Sequence, residues 1–165
     1  MKYDFQINGQ TFGDSDRDPV VGKSFIDSHA LGFDWRPGAP LESGLVSECK
    51  IDGSNFSRGL SLSFVYDMIF RDCEIVGGRD SCLSIVRGGR VTFERCQFIS
   101  RGKTGSHVSI RGGAKDVCFK DCTFVGNYKS LFFGSCINLG GWSVYDSVPR
   151  PFVRQVKILG CEIRE

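Results

Sequence analysis

The stretch Val91–Phe98, VTFERCQF, decides how the rest of the chain reads: two apolar residues alternate with polar ones, two polar residues follow, and Cys96 and Phe98 close the unit. The same template, apolar-x-apolar-x-x-Cys-x-apolar, returns as MIFRDCEI (Met68–Ile75), VCFKDCTF (Val117–Phe124) and VKILGCEI (Val156–Ile163). Two weaker copies lie upstream, LVSECKI (Leu45–Ile51) and VGKSFI (Val21–Ile26), the latter with Ser24 in the Cys position and Ile26 in the apolar one. The markers Ser24, Cys49, Cys73, Cys96, Cys122 and Cys161 are separated by 25, 24, 23, 26 and 39 residues, the last interval containing an insertion. A period in this range is the mark of a solenoid, a propeller or an array.

Working outward, each unit carries a further apolar-x-apolar step: LSL (Leu60–Leu62), LSI (Leu83–Ile85), VSI (Val108–Ile110) and INL (Ile137–Leu139). Glycine pairs follow at Gly88-Gly89, Gly112-Gly113 and Gly140-Gly141. Each turn therefore offers short strands of period two separated by corners. Such strands bury nothing alone, but turns stacked about 4.8 Å apart pair every strand with its neighbours and align equivalent side chains into ladders. The expected core ladder is Ile26, Ile51, Ile75, Phe98, Phe124 and Ile163, with Cys49, Cys73, Cys96, Cys122 and Cys161 beside it.

These units resemble the right-handed parallel β-helix family, which includes pectate-lyase-like enzymes and bacteriophage tailspike proteins. The resemblance covers roughly residues 20 to 163 and supplies the handedness, since spacing indicates only a solenoid. The expectation is an all-β, single-stranded, right-handed parallel β-helix of about six turns with an N-terminal β-hairpin cap. Residues 1–19 would form the cap and linker, with Tyr3, Phe5 and Ile7 leading into Asn8-Gly9 and Phe12 returning. Residues 20–165 would form the β-helix, with an insertion at 142–152.

Composition agrees with a strand-rich domain: 165 residues, 41% apolar, with Phe abundant, Met scarce and 21 glycines as punctuation. A net charge of +2 from interspersed charges offers no polybasic footprint, so no nucleic-acid partner is expected. No stretch approaches the about 18 uninterrupted apolar residues of a membrane span, and MKYDFQINGQ lacks the apolar run of a signal peptide. Eight cysteines that recur with the repeat read as buried, reduced thiols rather than a disulfide framework. Cys118, on the outward phase of its strand, is the expected reactive exception.

Several constellations have the residue types of a reactive or binding site. Asp14, Asp16 and Asp18 begin like a calcium loop, but Pro19 stands where the turning Gly belongs and Phe25 where the bidentate Glu belongs. Cys82, His107 and Cys136 share a position in consecutive turns, yet a straight stack suits tetrahedral zinc poorly, so neither a metal nor another cofactor is expected. The outward columns Lys23, Glu48, Asp72, Arg95, Asp121 and Arg71, Glu94, Lys120 alternate in sign, as in a solvated face of cross-strand ion pairs. Glu48 and Asp72 are the weak candidates for a catalytic carboxylate pair. Trp142, Tyr145 and Phe152 in the insertion are the candidate binding or interface residues.

The ladder runs to Ile163 with only its own insertion or another subunit to cover the last turn. Together with the tailspike resemblance, this implies a non-enzymatic structural protein of a bacteriophage virion, decorating the capsid or associated with the tail. The expected partners are a homotrimer or other virion proteins, and the expected location is the virion, assembled in the host cytoplasm. The alternative is a tailspike-like polysaccharide-degrading enzyme (a lyase or glycoside hydrolase), or an adhesin binding cell-surface polysaccharide. A cellular scaffold is the third reading.

Overall fold

The computed structural model describes residues 3–13, 29–34, 43–54, 56–78, 80–100, 106–126, 137–139 and 153–164. The first strands are β1 (Phe5–Asn8), β2 (Thr11–Phe12), β3 (His29–Asp34), β4 (Gly44–Ser47), β5 (Lys50–Asp52), β6 (Arg58–Arg71) and β7 (Glu74–Val76). They are followed by β8 (Ser81–Glu94), β9 (Gln97–Ile99), β10 (Ser106–Arg111), β11 (Lys115–Lys120), β12 (Thr123–Val125), β13 (Ile137–Leu139), β14 (Arg154–Leu159) and β15 (Glu162–Arg164). All the strand pairs are parallel, as a coil that stacks turn upon turn requires. The strands make a nine-stranded sheet and a six-stranded sheet in the order β15-β12-β9-β7-β5-β2. About three turns, Arg58 to Val125, are complete among the described residues, rather than the expected six. The rungs β1–β2, β3–β5 and β13–β15 extend the stack on either side, the last two with a longer connection after their first strand.

Register places the ladders where the repeat demands. Ile51 pairs with Ile75, Ile75 with Phe98, Phe98 with Phe124 and Phe124 with Ile163. A second inward column runs Ile7, Val46, Phe70, Phe93, Phe119 and Ile158. Rings repeated at the rung spacing stack face to face: Phe70 on Phe93 at 5.0 Å between centroids, Phe93 on Phe119 at 5.1 Å and Phe98 on Phe124 at 5.0 Å. The two stacks meet edge to face, Phe93 against Phe98 at 5.6 Å and Phe98 against Phe119 at 5.8 Å. Each such pair adds about 0.5–1.5 kcal/mol beyond its area burial.

The N-terminal segment corrects the expected hairpin. β1 and β2 do not pair with each other; β1 lies parallel to β4 and β2 parallel to β5, with Phe12 opposite Ile51. Residues 5–12 are thus a rung of the solenoid, and Phe12 occupies the place below Ile51 that the sequence assigns to Ile26. Ile26 and Ser24 lie outside the described residues. The physical reason is that a tight hairpin on Asn-Gly needs two residues of positive φ, whereas a corner needs one. Here that one is Gly9, at φ +63°.

The same corner recurs one rung after another at Glu48, Asp72, Arg95, Asp121 and Gly160, all with φ between 50° and 62°. Non-glycine residues adopt this left-handed conformation at a cost of roughly 1–2 kcal/mol each. Stacking offsets it, because the N–H of each corner donates to the next rung: Glu48 to Arg71 O at 3.0 Å, Asp72 to Glu94 O at 3.0 Å and Arg95 to Lys120 O at 2.9 Å.

Truncating the middle of the ring stack tests this account. Phe93→Ala is expected to lower the unfolding free energy by about 3–5 kcal/mol in a chemical denaturation curve. Thr92→Ala, on the opposite phase of the same strand, is expected to change it by less than about 1 kcal/mol.

Candidate functional site on the outer face and corners

Each of these corners after Gly9 opens directly onto a marker cysteine, and the thiols do the same job from rung to rung. Cys73 Sγ lies 3.3 Å from Arg71 O and 3.6 Å from Val46 O in the preceding rung. Cys96 Sγ sits 3.5 Å from Glu94 O and 3.4 Å from Phe70 O, and Cys122 Sγ 3.4 Å from both Lys120 O and Phe93 O. Cys49 and Cys161 repeat the pattern with Ser47 O at 3.2 Å and with Leu159 O and Phe119 O, both at 3.5 Å. A small apolar side chain with one weak donor fits this slot, since it fills the core and reaches a carbonyl at the bend. The thiols are free. Neighbouring thiols and burial push the Cys96 thiol up, and burial pushes Cys161 up, so both remain protonated at neutral pH. Cys118 is partly exposed on β11.

The corner side chains point outward and pair across rungs. Arg95 grips Asp72 with two parallel bonds of 2.7 Å, and Arg90 grips Asp67 at 2.6 and 2.7 Å. Arg71 donates to Glu94 at 2.9 Å, and Lys50 lies 3.1 Å from Glu74. Hydrogen bonds from Arg95 hold the Asp72 carboxyl below the usual aspartate range, and those from Arg90 do the same for Asp67. Glu48 stands one rung from Asp72, at the equivalent corner. The structure thus brings the two candidate carboxylates to neighbouring corners and commits Asp72 to a guanidinium. A carboxylate so held is a poor proton donor near neutrality.

Sequence reasoning overlooked the outer face of the longer sheet. Between the inward Leu and Ile positions of β3, β6, β8 and β10 lie Gly32, Ser61, Ser84 and Ser109 on successive rungs, with Asp34, Ser63, Val86 and Arg111 one step along. Ser61, Ser63 and Ser84 are buried, and Arg111 Nη2 reaches Ser84 Oγ at 3.5 Å. The His29 ring lies over Gly32, where a Cβ would fall 2.1 Å from Nε2, so any side chain at this position would have to displace the ring. The signal was present in the polar phase of LSLS, LSIV and VSIR, which a search for carboxylates and metal ligands passes over.

Cys82 and His107 do occupy equivalent positions on adjacent rungs, between the pairs Ser81–Ser106 and Leu83–Val108. His107 turns into the corner, where Nε2 lies 2.8 Å from Val125 O and the ring meets Phe124 edge on at 6.1 Å. Burial holds it neutral by lowering its pKa. A neutral ring bonded to that carbonyl through Nε2 is the donor there. No group of three or more metal-ligating side chains gathers among the described residues. Cys136, Asp14, Asp16, Asp18, Trp142, Tyr145 and Phe152 lie outside the described residues. No helix among the described residues is long and apolar enough to cross a membrane.

Comparison with known proteins agrees with this geometry. The family model for the right handed beta helix region matches residues 23–148, and the chain belongs to that family. Among solved structures it is similar to the A-module of the mannuronan C-5 epimerase AlgE4 of Azotobacter vinelandii, with 13% identity and a TM-score of 0.59. That match covers 99% of this chain and 43% of the epimerase module, so the chain spans less than half of its neighbour. A plasmid-mediated fluoroquinolone resistance protein, QnrB1, aligns over 93% of this chain and 91% of its own at 10% identity, but its TM-score of 0.19 carries no structural weight. No curated protein sequence matches the chain.

Because the His107 pKa is lower folded than unfolded, the unfolded state binds the extra proton first as pH falls. The contribution of a neutral His107 is therefore complete above about pH 6.5 and is lost progressively below it, toward the depressed folded value. Thermal unfolding midpoints measured from pH 8 to 5 are expected to fall along that limb. His107→Gln, which cannot titrate, is expected to flatten it.

Proposed function

We propose that this chain is a non-enzymatic β-helix module that binds a polysaccharide along its stack of rungs. The observation carrying this reading is the commitment of the outer carboxylates Asp67, Asp72, Glu74 and Glu94 to cationic partners. Glycan cleavage requires a pair of carboxyl groups, one poised to give a proton and one to accept it or attack. Ion pairs that neutralise such groups build a surface instead of a reaction centre.

The polysaccharide part of the reading draws support from the similar epimerase, whose name gives mannuronan as the polymer it acts on. Rungs repeat at about 4.8 Å, close to the length of one sugar in an extended chain. A polymer lying along the axis would therefore meet equivalent side chains at each residue. Arg58 and Arg111 stand on the strands of the serine strip and Arg87, after Val86, lies over the Phe64 ring; guanidinium groups of this kind suit the carboxylates of an acidic polysaccharide.

A second reading keeps the fold and drops the glycan: a structural component of a bacteriophage virion, assembled in the host cytoplasm with other virion proteins or as a homotrimer. The exposed apolar residues Leu139, Ile158 and Ile163 favour it, since apolar surface of this kind suits contact with other protein.

Incubation with bacterial surface polysaccharides, mannuronan included, separates these readings. Calorimetry is expected to register binding that Arg87→Ala combined with Arg111→Ala weakens about tenfold or more. Chain length and uronate configuration are expected to remain unchanged. Shortening or epimerisation that Glu48→Gln or Asp72→Asn abolishes would establish an enzyme. Absence of binding across the panel would leave the virion reading.

A further inference from the structure

Five of the cysteines stand at one position of five successive rungs. Lys50 pairs with Glu74, Glu74 with Gln97, Gln97 with Thr123 and Thr123 with Glu162. Cys49, Cys73, Cys96, Cys122 and Cys161, each one residue earlier, therefore form a single column, and all are free thiols. Their sulfurs keep one orientation: from Cys73 to Cys161, each Sγ faces both the carbonyl two residues back and a carbonyl of the preceding rung. Adjacent thiols interact directly, Cys49 with Cys73, Cys73 with Cys96 and Cys96 with Cys122. Side chains repeated in one orientation are spaced as the rungs are, about 4.8 Å apart.

That spacing selects among metals. A tetrahedral ion needs four ligands around one point, and no three metal-ligating side chains converge among the described residues. A straight column offers something else, a pair of sulfurs facing each other across one rung interval. Two metal–sulfur bonds of about 2.3 Å laid end to end span about 4.6 Å. The rung interval of about 4.8 Å matches that span, so a two-coordinate ion fits where a four-coordinate one does not. Thiolate ligands select soft ions, Cu(I) among them. We propose that adjacent thiols of this column bind a soft monovalent cation of the Cu(I) and Ag(I) class, each ion held in a line between two sulfurs of neighbouring rungs.

Binding breaks two S–H bonds and forms two metal–sulfur bonds; both protons leave to solvent and no electron is transferred. The sulfur–metal–sulfur unit then carries one net negative charge. For an ion between Cys73 and Cys96, the S–H groups of Cys49 and Cys122 flank it along the column, and hydrogen bonds donated to a charged group favour that form. The S–H contacts with carbonyls given up in exchange are weak ones. The column also lies just under the surface: Cys73 is 2% and Cys96 1% exposed, whereas Ile75 and Phe98 of the neighbouring column are fully enclosed. An ion entering at the bend therefore reaches sulfur without crossing the aromatic core. The inference is independent of the proposed glycan binding, because the thiols stand at the bend into the six-stranded sheet and the serine strip lies on the nine-stranded one.

Titration of the reduced full chain with Ag(I), followed by calorimetry, tests the proposal. The parent for this test carries Cys118→Ser and Cys136→Ser, which leave the column and the buried Cys82 as its thiols. Saturable uptake is expected, and X-ray absorption of the bound silver is expected to show two sulfur neighbours. Two double variants of this parent keep equal numbers of thiols and differ in adjacency. Cys73→Ser with Cys122→Ser leaves Cys49, Cys96 and Cys161 on alternate rungs, and is expected to weaken binding by about a hundredfold or more. Cys49→Ser with Cys161→Ser leaves Cys73, Cys96 and Cys122 on consecutive rungs, and is expected to retain tight binding. No uptake by the parent, a shell of one sulfur or of three or more, or equal affinity in the two double variants would overturn the proposal.

Discussion

A strand of three residues can neither satisfy its own backbone nor bury a side chain, and nearly everything in this molecule follows from that. Each strand takes its hydrogen bonds from the rung above and the rung below, so position in the stack replaces strand length as the source of stability. A side chain at one position is then surrounded by the residues at that same position in its neighbours. Apolar positions become continuous columns, and phenylalanines stack ring on ring at 5.0 to 5.1 Å without any other element of structure.

The bend between strands transmits this constraint to the surface. The bend that leads into the six-stranded sheet takes a single left-handed residue, Glu, Asp or Arg in the middle rungs and glycine at Gly9 and Gly160. The thiol that follows fills the inside of the bend while the corner side chain is turned outward. Repetition sets these outward side chains about 4.8 Å apart, where opposite charges on neighbouring rungs stabilise the stack. Asp72 and Arg95 satisfy one another for that reason. Charges paired to keep a stack together are poor proton donors, which is what links the corner geometry to the proposed binding role.

Stacking also creates the difference between the ends. Every interior rung has two neighbours, but a terminal rung has one, and its columns stop at an open cross-section. Ile7 and Phe12 of the rung β1–β2 are buried, while Ile158 and Ile163 carry the same columns into an exposed surface. What a β-helix does beyond existing as a rod depends on which side chains its columns repeat.

The repeat itself was legible in the linear order of residues: the template around Cys49, Cys73, Cys96, Cys122 and Cys161, and the register of Ile51, Ile75, Phe98, Phe124 and Ile163, follow from periodicity because identical positions must stack. Pairing of opposite charges in the outward columns was legible for the same reason. Asn8-Gly9 was not, since a dipeptide that permits positive φ serves a hairpin and a corner equally, and only the parallel partners Ser47 and Ile51 decide between them. Nor were the serine strip, the His29 ring over Gly32 or His107 turned into its corner, all of which depend on how side chains settle once the rungs are stacked. Sequence by itself determined the solenoid, because stacking equivalent residues is a one-dimensional rule. Tertiary structure alone decided that residues 5–12 form a rung and which carboxylates were neutralised, because those depend on the neighbours each residue meets in space.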